Sequence, residues 1–248
     1  MQRLLDRVFH RSDLRRLEKQ RAALEEASLD DVQTIERRAR QVGKAAASLQ
    51  RAASLRLRDD LQPDVPQGTT WFERASAWTA PLQRQSWCPV ASSTPLGPGL
   101  TVHHDANVAD ISLRQDHASA AGSAPFAISI DLLDFDGSYL SLALALPSEV
   151  AQSLTKGDLI RLSMSAQIER DAPVFGRLNL KQGPNTETIV REIEVSRRDA
   201  WVEFDLYYLE FEREQISDAW LDVIFEAPAM NRILINDLYV SRRPRAGI

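Results

Sequence analysis

The chain has 248 residues, of which 44% are hydrophobic, 7% aromatic and 26% charged, with one cysteine and a net charge of −5. That length accommodates one large domain, or an ordinary domain with an appendage, and the apolar share is enough for a substantial core. No run approaches the roughly 20 apolar residues of a membrane-spanning helix, no apolar signal segment opens the chain, and the lone Cys88 excludes an intramolecular disulfide and a cysteine-based metal cluster.

Those exclusions lead to a cytoplasmic location and to a buried, inert Cys88 thiol as expectations. The charge is unevenly spread: residues 1–58 hold 14 Lys+Arg against 8 Asp+Glu, and the remainder holds 16 against 27. A basic segment thus precedes an acidic body. Such a segment contacts phosphates, anionic lipid head groups, an acidic partner or its own body.

Met1 to about Ala27 lacks Gly and Pro and is dense in strong helix formers. On this predicted helix Leu4, Leu5, Val8 and Phe9 form an apolar patch flanked by Arg3, Arg7, Arg11, Arg15 and Arg16. That composition suits peripheral membrane contact through the N-terminal helix, although Asp6, Asp13 and Glu18 oppose it. Ser28-Leu29-Asp30-Asp31 reads as a stop and restart, with Ser28 or Asp30 as N-cap. A second helix is predicted from about Asp31 to Arg58. On it Val32, Ile35, Ala39, Val42, Ala46, Leu49 and Ala53 alternate spacings of three and four, which is a heptad seam. Such a seam packs on the first helix as a hairpin, lies on the body, or meets a partner protein or a copy of itself in a coiled coil. Gly43 within it costs about 1 kcal/mol relative to Ala and favours a helix that has a partner.

Residues 59–98 lose periodicity and gather Pro63, Pro66, Pro81, Pro89, Pro95 and Pro98. Trp71, Phe72, Trp78 and Trp87 lie in this lead-in, and rings of that size seldom stay in water. They are expected to clamp the segment onto the body; a ligand platform is the sharper alternative.

Residues 99–248 carry ten runs of strand character: Leu100–His103, Asp110–Gln115, Phe126–Phe135, Tyr139–Leu146, Leu159–Glu169, Val174–Lys181, Thr188–Val195, Trp201–Phe211, Ala219–Glu226 and Arg232–Ser241. Short alternating runs with turns between them predict an antiparallel β-sandwich of jelly-roll type. The fold class is therefore mainly β, preceded by a helical hairpin or coiled coil. Asp134 to Ser138 reads as a hairpin turn in which Gly137 supplies positive φ. A single short helix after Pro147 leaves no room for βαβ units.

Parity along the later strands suggests where a ligand would bind. Trp201, Glu203, Asp205 and Tyr207 share one face of their run, with Val202, Phe204, Leu206 and Tyr208 on the other. Trp220, Asp222 and Glu226 similarly oppose Leu221, Val223 and Phe225. Flat aromatic rings stack on sugar C–H faces while carboxylates, Asn and Arg bond hydroxyls. Trp201, Tyr207 and Trp220 are thus a candidate glycan platform, with Glu203, Asp205, Asp222, Arg177 and Asn179 as polar partners. A carbohydrate-active enzyme needs only two carboxylates across a groove, and Glu203, Asp205, Asp222 and Glu226 are its candidates. The bland alternative is that the tryptophans are core and the acids solvated. A third reading is a scaffold that dimerises through Val32 to Ala53.

No phosphate loop, nucleophile elbow or paired-cysteine motif is present, and no cofactor is indicated. His103 and His104 are adjacent on a strand, so they point to opposite faces and are expected to be surface residues rather than ligands of one metal. Asp134-x-Asp136-Gly137 lacks the glutamate of a calcium loop. The acidic body disfavours nucleic acid.

Phe135-Asp136-Gly137-Ser138-Tyr139-Leu140-Ser141-Leu142, Gly183-Pro184-Asn185-Thr186-Glu187, Glu203-Phe204-Asp205-Leu206 and Glu226-Ala227-Pro228-Ala229-Met230-Asn231, with Ser241-Arg242-Arg243-Pro244-Arg245-Ala246, carry a resemblance. On these residues the chain resembles an alphaproteobacterial family known as a domain of unknown function, best from about Trp71 onward. The resemblance implies no catalytic or binding residue. The closing strand, Met-Asn pair and basic last strand are similar to the end of carbohydrate-binding jelly rolls.

Overall fold

The computed structural model describes residues 11–60, 63, 65–118, 124–195, 200–211 and 216–245. The patch of Leu4, Leu5, Val8 and Phe9, with Arg3 and Arg7, lies outside them. The chain divides into two units, Met1–Gln50 and Arg51–Ile248.

In the first unit, helix α1 (Arg11–Ala22) continues as a 3-10 turn at Ala23–Glu26. The chain then breaks and restarts as α2, Leu29–Asp60, whose residues from Arg51 onward belong to the second unit. Ser28 makes the restart: its Oγ accepts the Asp31 amide at 3.3 Å, and its hydroxyl donates to the Asp31 carboxylate at 2.6 Å. One orphan amide of the first turn is thereby satisfied, and Asp30 and Asp31 sit at the positive end of the helix dipole.

The second unit is an antiparallel β-sandwich. Its strands are β1 (Trp71–Arg74), β2 (Ser86–Trp87), β3 (Thr94–Gly97), β4 (Leu100–His104), β5 (Ala109–His117), β6 (Phe126–Phe135) and β7 (Tyr139–Ala145). They continue as β8 (Asp158–Ile168), β9 (Val174–Gln182), β10 (Asn185–Glu192), β11 (Ala200–Asp205), β12 (Ile216–Glu226) and β13 (Asn231–Pro244). Two short helices interrupt them, α3 (Ser76–Thr79) and α4 (Ser148–Gln152).

One sheet runs β11-β8-β13-β6-β5-β2, with β1 added to β13, and the other runs β10-β9-β12-β7-β4-β3. The chain crosses between the two repeatedly, as in a jelly roll. Alternate residues point inward: Leu162, Val202, Phe204 and Val240 from the first sheet meet Leu142, Leu178, Leu221, Val223 and Phe225 from the second in one core. Gly176 marks the closest approach. A Cβ there would meet Val202 at 2.9 Å and Leu162 at 3.2 Å across the sandwich.

The lead-in is part of this unit. Strand β1 pairs with β13 from Trp71 opposite Arg242 to Arg74 opposite Tyr239, extending the sheet beyond the end of β6. Trp78 is fully buried, and its indole donates to the Ile235 carbonyl at 3.0 Å. Arg74 forms a two-pronged buried pair with Asp237 at 2.8 and 2.7 Å. The Gln115 amide donates to the carbonyls of Ala77 and Ala80 and accepts from the Leu82 amide. These bonds satisfy backbone that proline-rich chain cannot pair in a ladder.

Several sequence expectations change at this point. The Trp201–Phe211 run ends as strand at Asp205, because Asp205 Oδ1 accepts the Tyr207 amide and the chain turns into a 3-10 helix at Leu206–Tyr208. Parity therefore fails beyond it, and Tyr207 and Tyr208 are both exposed. Gly137 does not adopt positive φ. It is needed for room, since a Cβ would stand 2.7 Å from Asp105 Oδ1. Cys88 is exposed rather than buried, because its neighbours Trp87 and Val90 take the inward positions. His104 is buried rather than at the surface, with its ring edge-on to Phe135 and Nε2 3.2 Å from the Val90 carbonyl. Strand β10 begins at Asn185, directly after the turn at Gly183, three residues before the expected start.

Candidate functional site

The residues expected to form one ligand site are split between the outer faces of two sheets. Trp201, Glu203 and Asp205 are on β11, at the edge of the seven-stranded sheet. Trp220 and Asp222 are on β12, and Arg177 and Asn179 on β9, in the six-stranded sheet. About 10 Å of packed core separates two such sheets, and both sets point away from it. One ligand cannot touch both.

The β11 set is consumed by its own arginines. The Arg161 guanidinium lies 3.9 Å from the centre of the Trp201 ring and also pairs with Glu203 at 3.1 Å. Glu203 takes a second pair from Arg243 at 3.1 Å. Asp205 pairs with Arg245 at 3.1 Å, and Arg245 covers Tyr207 at 4.6 Å. One face of Trp201 is thus occupied, although the residue is 50% exposed.

The set on the six-stranded sheet is a true cluster. Strand register sets Trp220 beside Asn179, Asp222 beside Arg177 and Ile224 beside Phe175. On the far side of β12 the neighbours are Ala145, Ala143, Ser141 and, opposite Glu226, Tyr139. Asp222 is almost wholly buried, and its Oδ2 accepts from Arg177 Nε at 2.9 Å and from Asn179 Nδ2 at 2.9 Å. The Arg177 side chain remains 40% exposed. A buried carboxylate therefore fixes a guanidinium whose outer edge faces solvent.

Half-buried aromatic rings lie at both ends of this polar centre. Phe175 and Tyr139 border a hollow of about 330 Å³ together with Ser138, Arg177, Ile224 and Glu226. Trp220 lies two strand positions beyond Asp222 at the opposite end. Ser141, Ala143 and Ala145 on β7 are small, so the strip beside Trp220 and Ile224 stays low. The result is a shallow trough with aromatic ends and a polar middle.

Sequence reasoning missed Phe175 and Tyr139. Phe175 could have been found, because it shares parity with Arg177 and Asn179 in one run. Tyr139 joins them only through its pairing with β12.

The loop that carries Ser138 and Tyr139 is braced from the loop after β4. The Asp105 carboxylate accepts the Ser138 amide at 2.8 Å, the Tyr139 amide at 3.2 Å and the Ser138 hydroxyl. In return Asp136 accepts the amides of Asn107 and Val108 at 2.8 and 2.9 Å. The Ser138 hydroxyl above all, aided by the amides, holds the Asp105 carboxyl below its ordinary range.

The four candidate acids make no open pair. Asp222 and Glu226 are four positions apart on one strand, about 13 Å, beyond the separation that glycoside hydrolysis uses. Glu203 and Asp205 are nearer, yet each is engaged by arginine.

Solved structures similar to this chain include a C-terminal family 22 carbohydrate-binding module from Clostridium thermocellum, at 10% identity and a TM-score of 0.40 over 75% of this chain and 99% of that one. A family 11 carbohydrate-binding module from the same organism, in complex with a β-1,3-1,4-mixed-linked tetrasaccharide, matches at 8% identity and 0.35 over 63% of this chain and 95% of its own. The enzymatically active domain of tailspike protein 4 of bacteriophage CBA120 matches at 9% identity and 0.39 over 60% of this chain, which spans only 21% of that protein. No match is found among curated proteins. The family model described as "Family of unknown function (DUF6478)" matches residues 1–248, and the chain belongs to that family.

Proposed function

We propose that the protein is a non-catalytic glycan-binding module whose ligand lies along the outer face of the six-stranded sheet. The observation that carries this reading is the Arg177–Asp222–Asn179 network between Trp220 at one end and Phe175 with Tyr139 at the other. Aromatic rings supply flat apolar surface for sugar C–H faces, and the fixed guanidinium donates to hydroxyls with little entropy left to lose. The site is shallow and open, which suits part of a chain rather than an enclosed small molecule. Asp222 acts by positioning: it is spent on Arg177 and Asn179, so it supplies no free acid or base.

Affinity gel electrophoresis of the whole chain through gels containing neutral or acidic polysaccharides tests the reading. Retardation by at least one polysaccharide, removed by Trp220→Ala and by Arg177→Ala, is the expected result. Free migration in every gel would leave the proposal without a ligand class and sink it.

A further inference from the structure

Helix α2 exposes the heptad seam from Ala39 to Leu49 and half-exposes it at Val32 and Ile35. Val42 and Leu49 are 53% and 44% exposed, Ala39 and Ala46 are exposed, and Val32 and Ile35 are half-buried. Apolar residues repeating every 3.5 positions over six layers match the period of another helix of the same kind. What fills the seam follows from how its first six residues, Val32 to Leu49, read in the two possible directions.

In a parallel, in-register pair each residue meets its own copy. Ala39 would face Ala39 and Ala46 would face Ala46, leaving two underfilled layers. Flanking positions would set Asp31 of one helix against Glu36 of the other, a like-charge contact made twice.

Reversing one helix removes both defects. Val32 then meets Leu49, Ile35 meets Ala46 and Ala39 meets Val42, and the same three layers repeat in reverse order. Ala39 and Ala46 each face a larger aliphatic residue, and Ala53, the last seam position, falls opposite Ser28 beyond the filled layers. The flanking contacts become Asp31 with Ala52, Arg38 with Ala45 and Glu36 with Gly43, and none opposes like charges. Gly43 has nothing within 4 Å of where its Cβ would be, so its site is free for the second helix. Glu36 is already paired with Arg40 on its own helix.

We propose that two copies of this chain associate through α2 as an antiparallel coiled coil, with Val32, Ile35 and Ala39 of one copy against Leu49, Ala46 and Val42 of the second. This surface is independent of the glycan reading. Self-recognition comes from the complementary order of large and small residues, in which the reversed seam sets an alanine against Ile35 and against Val42, and the acidic pair at Asp31 and Glu36 selects the direction.

The test uses the full chain in a Cys88→Ser background, because Cys88 is exposed and would cross-link on its own. Light scattering should give twice the chain mass for the parent and a single chain mass for Val42→Asp, with the sheet circular-dichroism signal unchanged. Single Val32→Cys and Leu49→Cys proteins are then oxidised alone and mixed. The two cysteines share a layer in the antiparallel pair, whereas two copies of either one stand roughly 25 Å apart along the helix. Cross-linking only on mixing is the expected result. A monomeric parent, a dimer that survives Val42→Asp, or self-cross-linking of Val32→Cys would each overturn the proposal.

Discussion

Asp222 is buried while Arg177, the residue it holds, keeps 40% of its side chain in solvent. The pair is a hinge between core and surface: the carboxylate is part of the sheet, and the guanidinium is what a ligand meets. Asn179 completes the arrangement from the same strand as Arg177, bonded to the same carboxylate oxygen.

Removing that anchor should weaken both the fold and the site. Asp222→Ala leaves the buried Asn179 amide short of an acceptor and frees Arg177, at a cost of about 1–3 kcal/mol in urea unfolding. Asp222→Asn keeps an acceptor in place and should cost less. Ligand affinity should fall in both variants, since Arg177 loses its fixed position.

The lead-in should behave as structure rather than tether. Trp78→Ala opens a cavity at α3 and removes the indole donor from the Ile235 carbonyl, and about 3–5 kcal/mol of stability should be lost. Asp237→Ala removes the two-pronged carboxylate partner of the buried Arg74 and should cost about 3 kcal/mol or more. Equilibrium denaturation of each variant measures these losses, and a change under about 1 kcal/mol in both would contradict the packing described.

Asp105 gives the fold a small acid-sensitive element beside the site. Its folded carboxyl titrates below the ordinary value, so its stabilisation is complete above that value and disappears as pH falls through the folded one. The melting-temperature gap between the parent and Asp105→Asn should therefore be largest near neutral pH and close as pH drops below about 4. A gap that widens on acidification would contradict the bonding to Ser138 and Tyr139.

Much of the sandwich was legible in the sequence because alternation is a local property. Phe126–Phe135 and the inward parity of Val202, Phe204, Leu221 and Val223 are written in neighbouring residues. The lead-in strands β1 to β3 were not, since they are short and proline-rich, and β1 and β2 are held by partners far along the chain, while β3 pairs with β4 across a hairpin. Parity correctly turned Trp201 and Trp220 outward but said nothing about which sheet each belongs to. Sheet membership is a long-range property: β11 pairs with β8 and β12 with β7 and β9, so two similar runs ended on opposite faces. The strand end at Asp205 escaped for another reason, because a side-chain cap there overrides an alternation that continues in the sequence.

The two outer faces carry one tryptophan each, and they should not behave alike. Trp201 is already stacked by Arg161, so Trp201→Ala should leave ligand binding within about twofold and cost little stability. Binding that depends on Trp201 instead would move the site to the edge of the other sheet.

The most direct measurement is a glycan array probed in parallel with the whole parent chain, Trp220→Ala and Trp201→Ala, each checked for an unchanged sheet signal. A defined set of glycans bound by the parent and by Trp201→Ala, and lost by at least tenfold in Trp220→Ala, is expected; loss of one aromatic stacking contact of about 1.4 kcal/mol or more gives that factor. No bound glycan with the parent, or binding that survives Trp220→Ala unchanged, would contradict a glycan site on the six-stranded sheet.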